Sequence, residues 1–212
     1  MPPVTVKDLV LIDSGVFAPA QLAAGVVAGM EVHRLNRGDA IAQITAIFQA
    51  KASQNVAIAN VHILCHGAPG CLYLGDRELS LDTLDQYTTQ LKAWFRCAQG
   101  ALLLYGCQVA AGDAGEEFID RLHAVVDRPI LASAQRVGQV ALGGSWQLNS
   151  YFEGLAVEGL AVEGLAVEGL GDGLRLAIAP RPKSNMPVSL HQRCVFLQSR
   201  LLGQKTEIRK LF

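Results

Sequence analysis

Two short apolar runs, each ending in glycine beside a reactive side chain, constrain the fold of this chain more than any other feature. The runs are Val61-His-Ile-Leu-Cys-His-Gly67 and Ala101-Leu-Leu-Leu-Tyr-Gly-Cys107. Each is too brief for a helix and is punctuated by glycine, which is typical of a buried strand in a parallel sheet. Ligands of open α/β sheets bind beyond the carboxyl ends of the strands. If these strands are neighbours, we expect His66 and Cys107 to emerge side by side at that edge.

The first 150 or so residues alternate between strand-like and helix-like segments. Strands are predicted at 6–12, 31–35, 58–65, 101–105 and 129–133. Helices, marked by apolar residues at helical spacing, are predicted after Pro19, over 39–49, after an N-cap at Ser80, and over 113–126. This alternation predicts an α/β fold of three layers, α/β/α, with a mainly parallel central sheet and helices on both faces. Edge hairpins are predicted over 70–79 and 138–148.

Two further segments differ from this domain in composition. Between 154 and 170 the unit Gly-Leu-Ala-Val-Glu repeats with a period of five, which fits neither a helix nor a strand. A small solenoid is the alternative, but stacking would need more copies. Residues 180–212 carry seven Lys or Arg and one acidic residue. We therefore predict a domain over 1–152, a low-complexity spacer over 153–179 and a basic tail over 180–212.

Composition argues against nucleic acid as a partner and against a membrane span. The formal net charge of the 212 residues is −1, and no apolar run approaches the 18 or so residues of a spanning helix. The N-terminus lacks the charged-then-apolar order of a signal peptide. Five cysteines, an odd number without a Cys-x-x-Cys pair, predict a reducing compartment or thiols that stay free instead of a disulfide framework. We expect a cytoplasmic protein, or one exported without an N-terminal signal peptide.

The two strand ends offer the groups that thiol catalysis requires. A thiol attacks a carbonyl when it is deprotonated, when an acid or base serves the leaving group, and when the oxyanion finds donors. Cys107 is the candidate nucleophile, and the helix predicted to follow it would favour the thiolate. His66 is the candidate proton carrier. The backbone N–H groups of Gly67 and Cys107 are the candidate oxyanion hole.

Asp13 and Ser133 end the first and fifth predicted strands, so they are the candidate substrate-binding residues at the same edge. A carboxylate there would favour Arg or Lys before the cut bond. For Asp13 the alternative is a cap on the turn that follows its strand. Trp146 is expected to pack in the core rather than to stack on a ligand.

Neither a metal nor a cofactor is expected. Cys65, Cys71, Cys107 and His66 are the candidate zinc ligands, but their spacing matches no usual zinc pattern.

Several of these segments together resemble a known family. They are Leu11-Ile-Asp-Ser14, His62-Ile-Leu-Cys-His-Gly67, Leu103-Leu-Tyr-Gly-Cys107 with Val109-Ala-Ala-Gly112, and Ala141-Leu-Gly-Gly-Ser-Trp146. In this order they are similar to a bacterial family called domain of unknown function 4347. A strand ending in His-Gly, followed by one ending in a small residue and Cys, also resembles the caspase-fold cysteine peptidases, which include caspases, gingipains and legumain. That resemblance implies a caspase-like fold and a catalytic pair at His66 and Cys107.

Two functions of different classes follow from these observations. The first is a cysteine endopeptidase that acts on a protein or peptide substrate through a Cys107–His66 dyad, with its own chain as one candidate substrate. The second is a catalytically silent caspase-like module that serves interaction or assembly in a secreted or surface protein.

Overall fold

A six-stranded sheet organises the protein, which a computed structural model describes over residues 7–150. In chain order the strands are β1 (Lys7–Ile12), β2 (Glu31–Arg34), β3 (Ile58–Leu64), β4 (His66–Ala68), β5 (Cys71–Leu74), β6 (Arg77–Ser80), β7 (Leu102–Tyr105), β8 (Ile130–Ala132) and β9 (Asn149–Ser150). The helices are α1 (Pro19–Ala24), α2 (Ala40–Ser53), α3 (Leu84–Trp94) and α4 (Gly112–Val126). The large sheet has the order β2-β1-β3-β7-β8-β9. Its first five strands are parallel, as predicted, and β9 runs antiparallel to β8.

Both faces of the central strands are buried, which explains the apolar runs in β1, β7 and β8. In β1, Leu9 and Leu11 belong to the core on one face, and Val10 and Ile12 belong to the core on the other. All four are almost fully buried. Because successive side chains of a strand point to opposite faces, a strand covered on both sides needs apolar residues at every position.

Three helices cover the first face. They contribute Ile41, Ile44 and Phe48 from α2, Leu84, Leu91 and Trp94 from α3, and Phe118, Ile119, Leu122 and Val126 from α4. Asp39 caps α2, its carboxylate accepting a hydrogen bond of 2.9 Å from the Ala42 N–H. The Trp94 ring stacks on Phe48 with 5.8 Å between ring centroids, and its indole N–H donates to the Thr45 hydroxyl at 2.9 Å.

The second face is covered less evenly, by the short helix α1 and an irregular segment over 137–148. Leu22 of α1 is buried there, and Val137, Trp146 and Leu148 pack against the same core. As predicted, Trp146 packs in the core, with its ring 6.2 Å from that of Tyr105.

A second, antiparallel sheet of β4, β5 and β6 follows β3 directly. The hairpin predicted over 70–79 is present as β5 and β6, and the chain from His66 adds a third strand to it. The hairpin turns at Gly75, where φ is 65° and a Cβ would lie 1.9 Å from the Gly38 carbonyl oxygen. Only glycine fits this turn, because it needs both a left-handed backbone and an empty Cβ position.

Two local predictions are wrong. Ser80 ends β6, and the N-cap of α3 is Thr83, whose hydroxyl accepts from the Ser80 N–H at 2.9 Å and donates to the Glu78 carbonyl at 2.8 Å. The Thr83 hydroxyl thus closes the turn between β6 and α3, and it makes no capping hydrogen bond to the first turn of the helix.

The hairpin predicted over 138–148 is also absent. Val140–Leu142 forms one turn of 3-10 helix, and the strand that pairs with β8 is β9. The Gly143 N–H donates to the Val140 carbonyl at 2.9 Å, with Gly143 at φ 74°, so the chain closes on itself before a strand can form.

The predicted spacer at 153–179 and basic tail at 180–212 lie outside the described residues. Among the helices within residues 7–150, none combines the length and apolar character needed to cross a membrane.

Candidate active site

The carboxyl ends of β3 and β7 lie side by side, which is the condition that the prediction of a shared site required. The two strands pair in parallel from Val61 with Leu102 to Leu64 with Tyr105. One residue further on, the Cys65 N–H donates to the Tyr105 carbonyl at 3.4 Å. The chains beyond these ends therefore start from the same edge of the sheet.

Gly67 and Gly106 allow the two chains to stay in contact past the end of the sheet. A Cβ at Gly67 would lie 3.0 and 3.1 Å from the carbonyl oxygen and amide nitrogen of Cys107, and 2.6 Å from a methyl of Val109. A Cβ at Gly106 would lie 2.7 Å from the same methyl and 3.1 Å from Leu72. Protein atoms thus fill the space on both glycines, and a side chain at either position would push the chains apart.

His66 is half-buried, and its ring is held by the loop after β1. Its Nε2 atom lies 2.9 Å from the Gly15 carbonyl oxygen. A carbonyl oxygen can only accept, so Nε2 carries the hydrogen and Nδ1 is the nitrogen left for proton transfer. The backbone of His66 is fixed as well, because it pairs with Tyr73 in the small sheet.

Cys107 opens the turn that connects β7 to α4. The following residue, Gln108, has φ 58°, a left-handed conformation that is uncommon for a side chain other than glycine. The Cys107 side chain is covered, with 8% of the residue exposed, and Sγ donates to the Val137 carbonyl at 3.7 Å. In this arrangement Cys107 lies under the loop that follows β8.

The Asp13 carboxylate binds two backbone N–H groups. Oδ1 accepts from Gly15 and Oδ2 accepts from Gly75, both at 2.7 Å, and 3% of the residue is exposed. The capping role that the sequence left open for Asp13 is therefore present.

Ser133 is also buried, and its hydroxyl both donates to the Gln135 carbonyl at 3.1 Å and accepts from the Gln135 N–H at 3.0 Å. Its own carbonyl accepts from the Ala110 N–H at 3.2 Å. These bonds attach the loop after β8 to the turn that carries Cys107. A substrate-binding role for Asp13 and Ser133 stays a prediction, since both side chains contact the backbone in this arrangement.

Two further cysteines lie near the site but are held as thiols. Burial raises the pKa of Cys65 well above its ordinary value, and the nearby Asp13 carboxylate adds to the effect. Burial, together with a hydrogen bond and the charge of Glu78, raises the pKa of Cys71 to about 12. Within residues 7–150, no three His, Cys, Asp or Glu side chains converge in a way that could hold a metal ion.

The sequence did not indicate a buried polar pair at the opposite end of the sheet. His62 is fully buried, with Nε2 3.3 Å from the Asp8 carboxylate and its ring stacked on Tyr105 at 6.0 Å. The backbone partners of the site, at Gly15, Gly75 and Val137, were missed too. Backbone atoms have no residue type that could mark them in a sequence.

The family model for domain of unknown function 4347 matches residues 9–168. The chain belongs to this family. The domain of unknown function 4347 match includes both strand ends and continues past the predicted domain end at 152. No curated protein matches the chain.

Proposed function

We propose that this protein is a cysteine endopeptidase with a caspase-like three-layer fold, in which Cys107 is the nucleophile and His66 the general acid and base. The observation that carries the proposal is the contact of Gly67 with the Cys107 backbone, at the shared end of two adjacent parallel strands. The residue before Gly67 is a histidine whose ring already has its Nε2 proton committed to Gly15.

In the proposed reaction, His66 Nδ1 takes the proton from Cys107 Sγ, and the thiolate attacks the carbonyl carbon of the scissile peptide. The oxyanion accepts hydrogen bonds from the N–H groups of Gly67 and Cys107. His66 then gives its proton to the leaving nitrogen as the C–N bond breaks, which leaves a thioester on Cys107. Water attacks the thioester, its proton passes to His66, the C–S bond breaks to release the acid, and His66 returns the proton to Cys107 Sγ.

The loop that follows β8 has to change position for this reaction. The Val137 carbonyl now accepts from Cys107 Sγ, and the Gln135 carbonyl accepts from the Gln108 N–H at 2.9 Å. A peptide that reaches the thiol replaces the Val137 contact. The substrate class is a protein or peptide segment, and the chain itself is a candidate. Peptides with Arg or Lys before the cut bond test the preference that the sequence predicts for Asp13.

Active-site labelling of the full chain tests the proposal. Iodoacetamide near neutral pH should modify Cys107 first, and an acyloxymethyl-ketone peptide with Arg or Lys at its reactive end should label wild-type protein but not Cys107→Ala. His66→Ala should slow both labelling and peptide cleavage by roughly 10²- to 10⁴-fold, the usual contribution of a general acid or base. Cys97→Ala, which removes a partly buried thiol at the end of α3, is the matched control and should behave as wild type.

A non-catalytic module is the second candidate, and the covered position of Cys107 favours it. If wild-type and Cys107→Ala proteins give the same labelling and no peptide is cut, the peptidase proposal is wrong and the interaction or assembly role stands.

A further inference from the structure

We propose that Asp13 is a positioning residue for His66, which acts through Gly15 and Gly75 instead of through contact with substrate. The inference rests on the proposed function, because it concerns the histidine of the same dyad. It replaces the role in choosing Arg or Lys that the sequence predicts for Asp13.

Asp13 holds the residue that accepts a hydrogen bond from the His66 ring. Asp13 Oδ1 accepts from the Gly15 N–H at 2.7 Å, and the Gly15 carbonyl accepts from His66 Nε2 at 2.9 Å. A Cβ at Gly15 would lie 2.9 Å from Asp13 Oδ1 and 3.6 Å from the His66 ring. Gly15 is therefore packed between the carboxylate and the imidazole, and the carboxylate fixes the one residue that selects the tautomer of His66.

Asp13 also holds the hairpin that pairs with the backbone of His66. Asp13 Oδ2 accepts from the Gly75 N–H at 2.7 Å. Gly75 forms the turn between β5 and β6, and β5 pairs with β4 by matching Tyr73 to His66. The Asp13 carboxylate thus binds both Gly15, whose carbonyl accepts from the His66 ring, and Gly75, in the hairpin that pairs with the His66 backbone.

The two bonds also explain why a carboxylate is needed. A charged acceptor forms stronger hydrogen bonds with N–H groups than a neutral one, and Asp13 is buried where no water replaces a lost bond. An asparagine at this position can accept with one atom only, so either the Gly15 or the Gly75 amide would face an NH₂ group. Small errors in the orientation of a catalytic group lower the rate strongly.

The test compares full-length Asp13→Asn, Gly15→Ala and His66→Ala with wild type. Asp8→Asn is the matched control, since Asp8 also binds a backbone N–H, that of Asn60 at 3.0 Å, but on the strand end away from the site. Nitrogen-15 spectra of the histidine rings report the tautomer of His66, whose signal is assigned by its loss in His66→Ala. We expect Asp13→Asn and Gly15→Ala to lower the Nε2–H form of His66 and to slow Cys107 alkylation about tenfold. This is less than the roughly 10²- to 10⁴-fold loss expected when the general acid or base is removed, because the His66 imidazole is still present. Turnover should fall in kcat, with little change in KM, and Asp8→Asn should match wild type in all three measurements.

Three results would overturn the inference. If Asp13→Asn raises KM for Arg and Lys peptides while kcat and the His66 tautomer stay unchanged, Asp13 is a specificity residue. If His66→Ala slows alkylation but folded Asp13→Asn and Gly15→Ala do not, the dyad stands and Asp13 does not position it. If His66→Ala alkylates like wild type and no peptide is cut, the proposed function fails and the inference fails with it. If Asp13→Asn does not fold, Gly15→Ala is the deciding variant. The φ angle of Gly15 lies outside the left-handed region, so alanine fits its backbone. The added methyl would press on Asp13 Oδ1 at 2.9 Å, whereas its distance of 3.6 Å from the His66 ring is an ordinary contact.

Discussion

Gly67 packs against the backbone of Cys107 so closely that a Cβ on Gly67 would lie 3.0 Å from the Cys107 carbonyl oxygen. The contact joins the ends of two parallel strands, and it needs no side chain from either residue. The His-Gly pattern therefore serves packing as well as the proposed chemistry.

Gly67→Ala is expected to destabilise the protein by about 1–3 kcal/mol, the usual cost of forcing extra volume into a packed site. The methyl group would also meet Val109 at 2.6 Å, so β4 and the turn after β7 must separate. Denaturant unfolding measures the loss, and Cys107 should become more accessible to a bulky thiol reagent. An unchanged denaturation midpoint would mean that β4 and the turn after β7 separate without loss of stability, and that their contact does not hold the site together.

The reactivity of Cys71 should depend on Glu78. Burial, together with a hydrogen bond and the charge of the adjacent Glu78 carboxylate, raises the pKa of the Cys71 thiol to about 12, because a second negative charge is disfavoured there. Glu78→Gln should therefore lower the pKa of Cys71 and speed its alkylation at pH 9, while Cys107 alkylation is unchanged. Glu116→Gln on α4, which replaces an exposed glutamate, is the control. Equal alkylation rates of Cys71 in Glu78→Gln and wild type would show that the Glu78 carboxylate does not raise the pKa of Cys71.

The Asp8 carboxylate should make stability depend on acid pH. Burial alone would raise the pKa of Asp8, but hydrogen bonds from His62 and Asn60 outweigh burial and hold the pKa below its ordinary value. A carboxyl group with a lowered pKa in the folded state stabilises the protein above its unfolded pKa of about 4 and loses this contribution as pH falls. The free energy of unfolding should therefore drop more steeply below about pH 4 in wild type than in Asp8→Asn.

As the pH falls, wild type should lose more unfolding free energy than Asp8→Asn. The difference is expected to be on the order of 1 kcal/mol, the contribution of a hydrogen bond to a charged group. Asp82→Asn, at an exposed position after β6, should keep the wild-type slope. Parallel curves for wild type and Asp8→Asn would contradict the prediction.

A chain ended after residue 152 is expected to keep the melting temperature of the full chain. Both hydrophobic cores of the described residues draw on positions between 9 and 148, and the repeat beyond them has no apolar face of regular period. The family match continues to 168, so a second chain ended there is the informative comparison. If only the longer chain melts like the full protein, residues 153–168 belong to the domain.

The sequence alone determined the parallel sheet, whereas the pairing of β3 with β7 was a condition that the tertiary structure met. Continuous apolar runs mark strands that are buried on both faces, and helical spacing between them requires parallel crossovers. These signals depend only on residues that are close in the sequence, so they can be recognised without knowing which strands pair. Ser80 misled for the opposite reason, because the start of α3 depends on how the chain turns after β6, where the Ser80 N–H donates to the Thr83 hydroxyl and the helix begins after Thr83.

Only the tertiary structure decided which atoms surround the dyad residues. Asp13 meets Gly75 across 62 positions of the chain, and Cys107 meets the Val137 carbonyl across 30. Such partners are chosen by how loops converge on the edge of the sheet, and the acceptor or donor is a backbone group that every residue has. A sequence can therefore indicate that a histidine and a cysteine share an edge, whereas the ring orientation of one and the covering of the other depend on long-range packing.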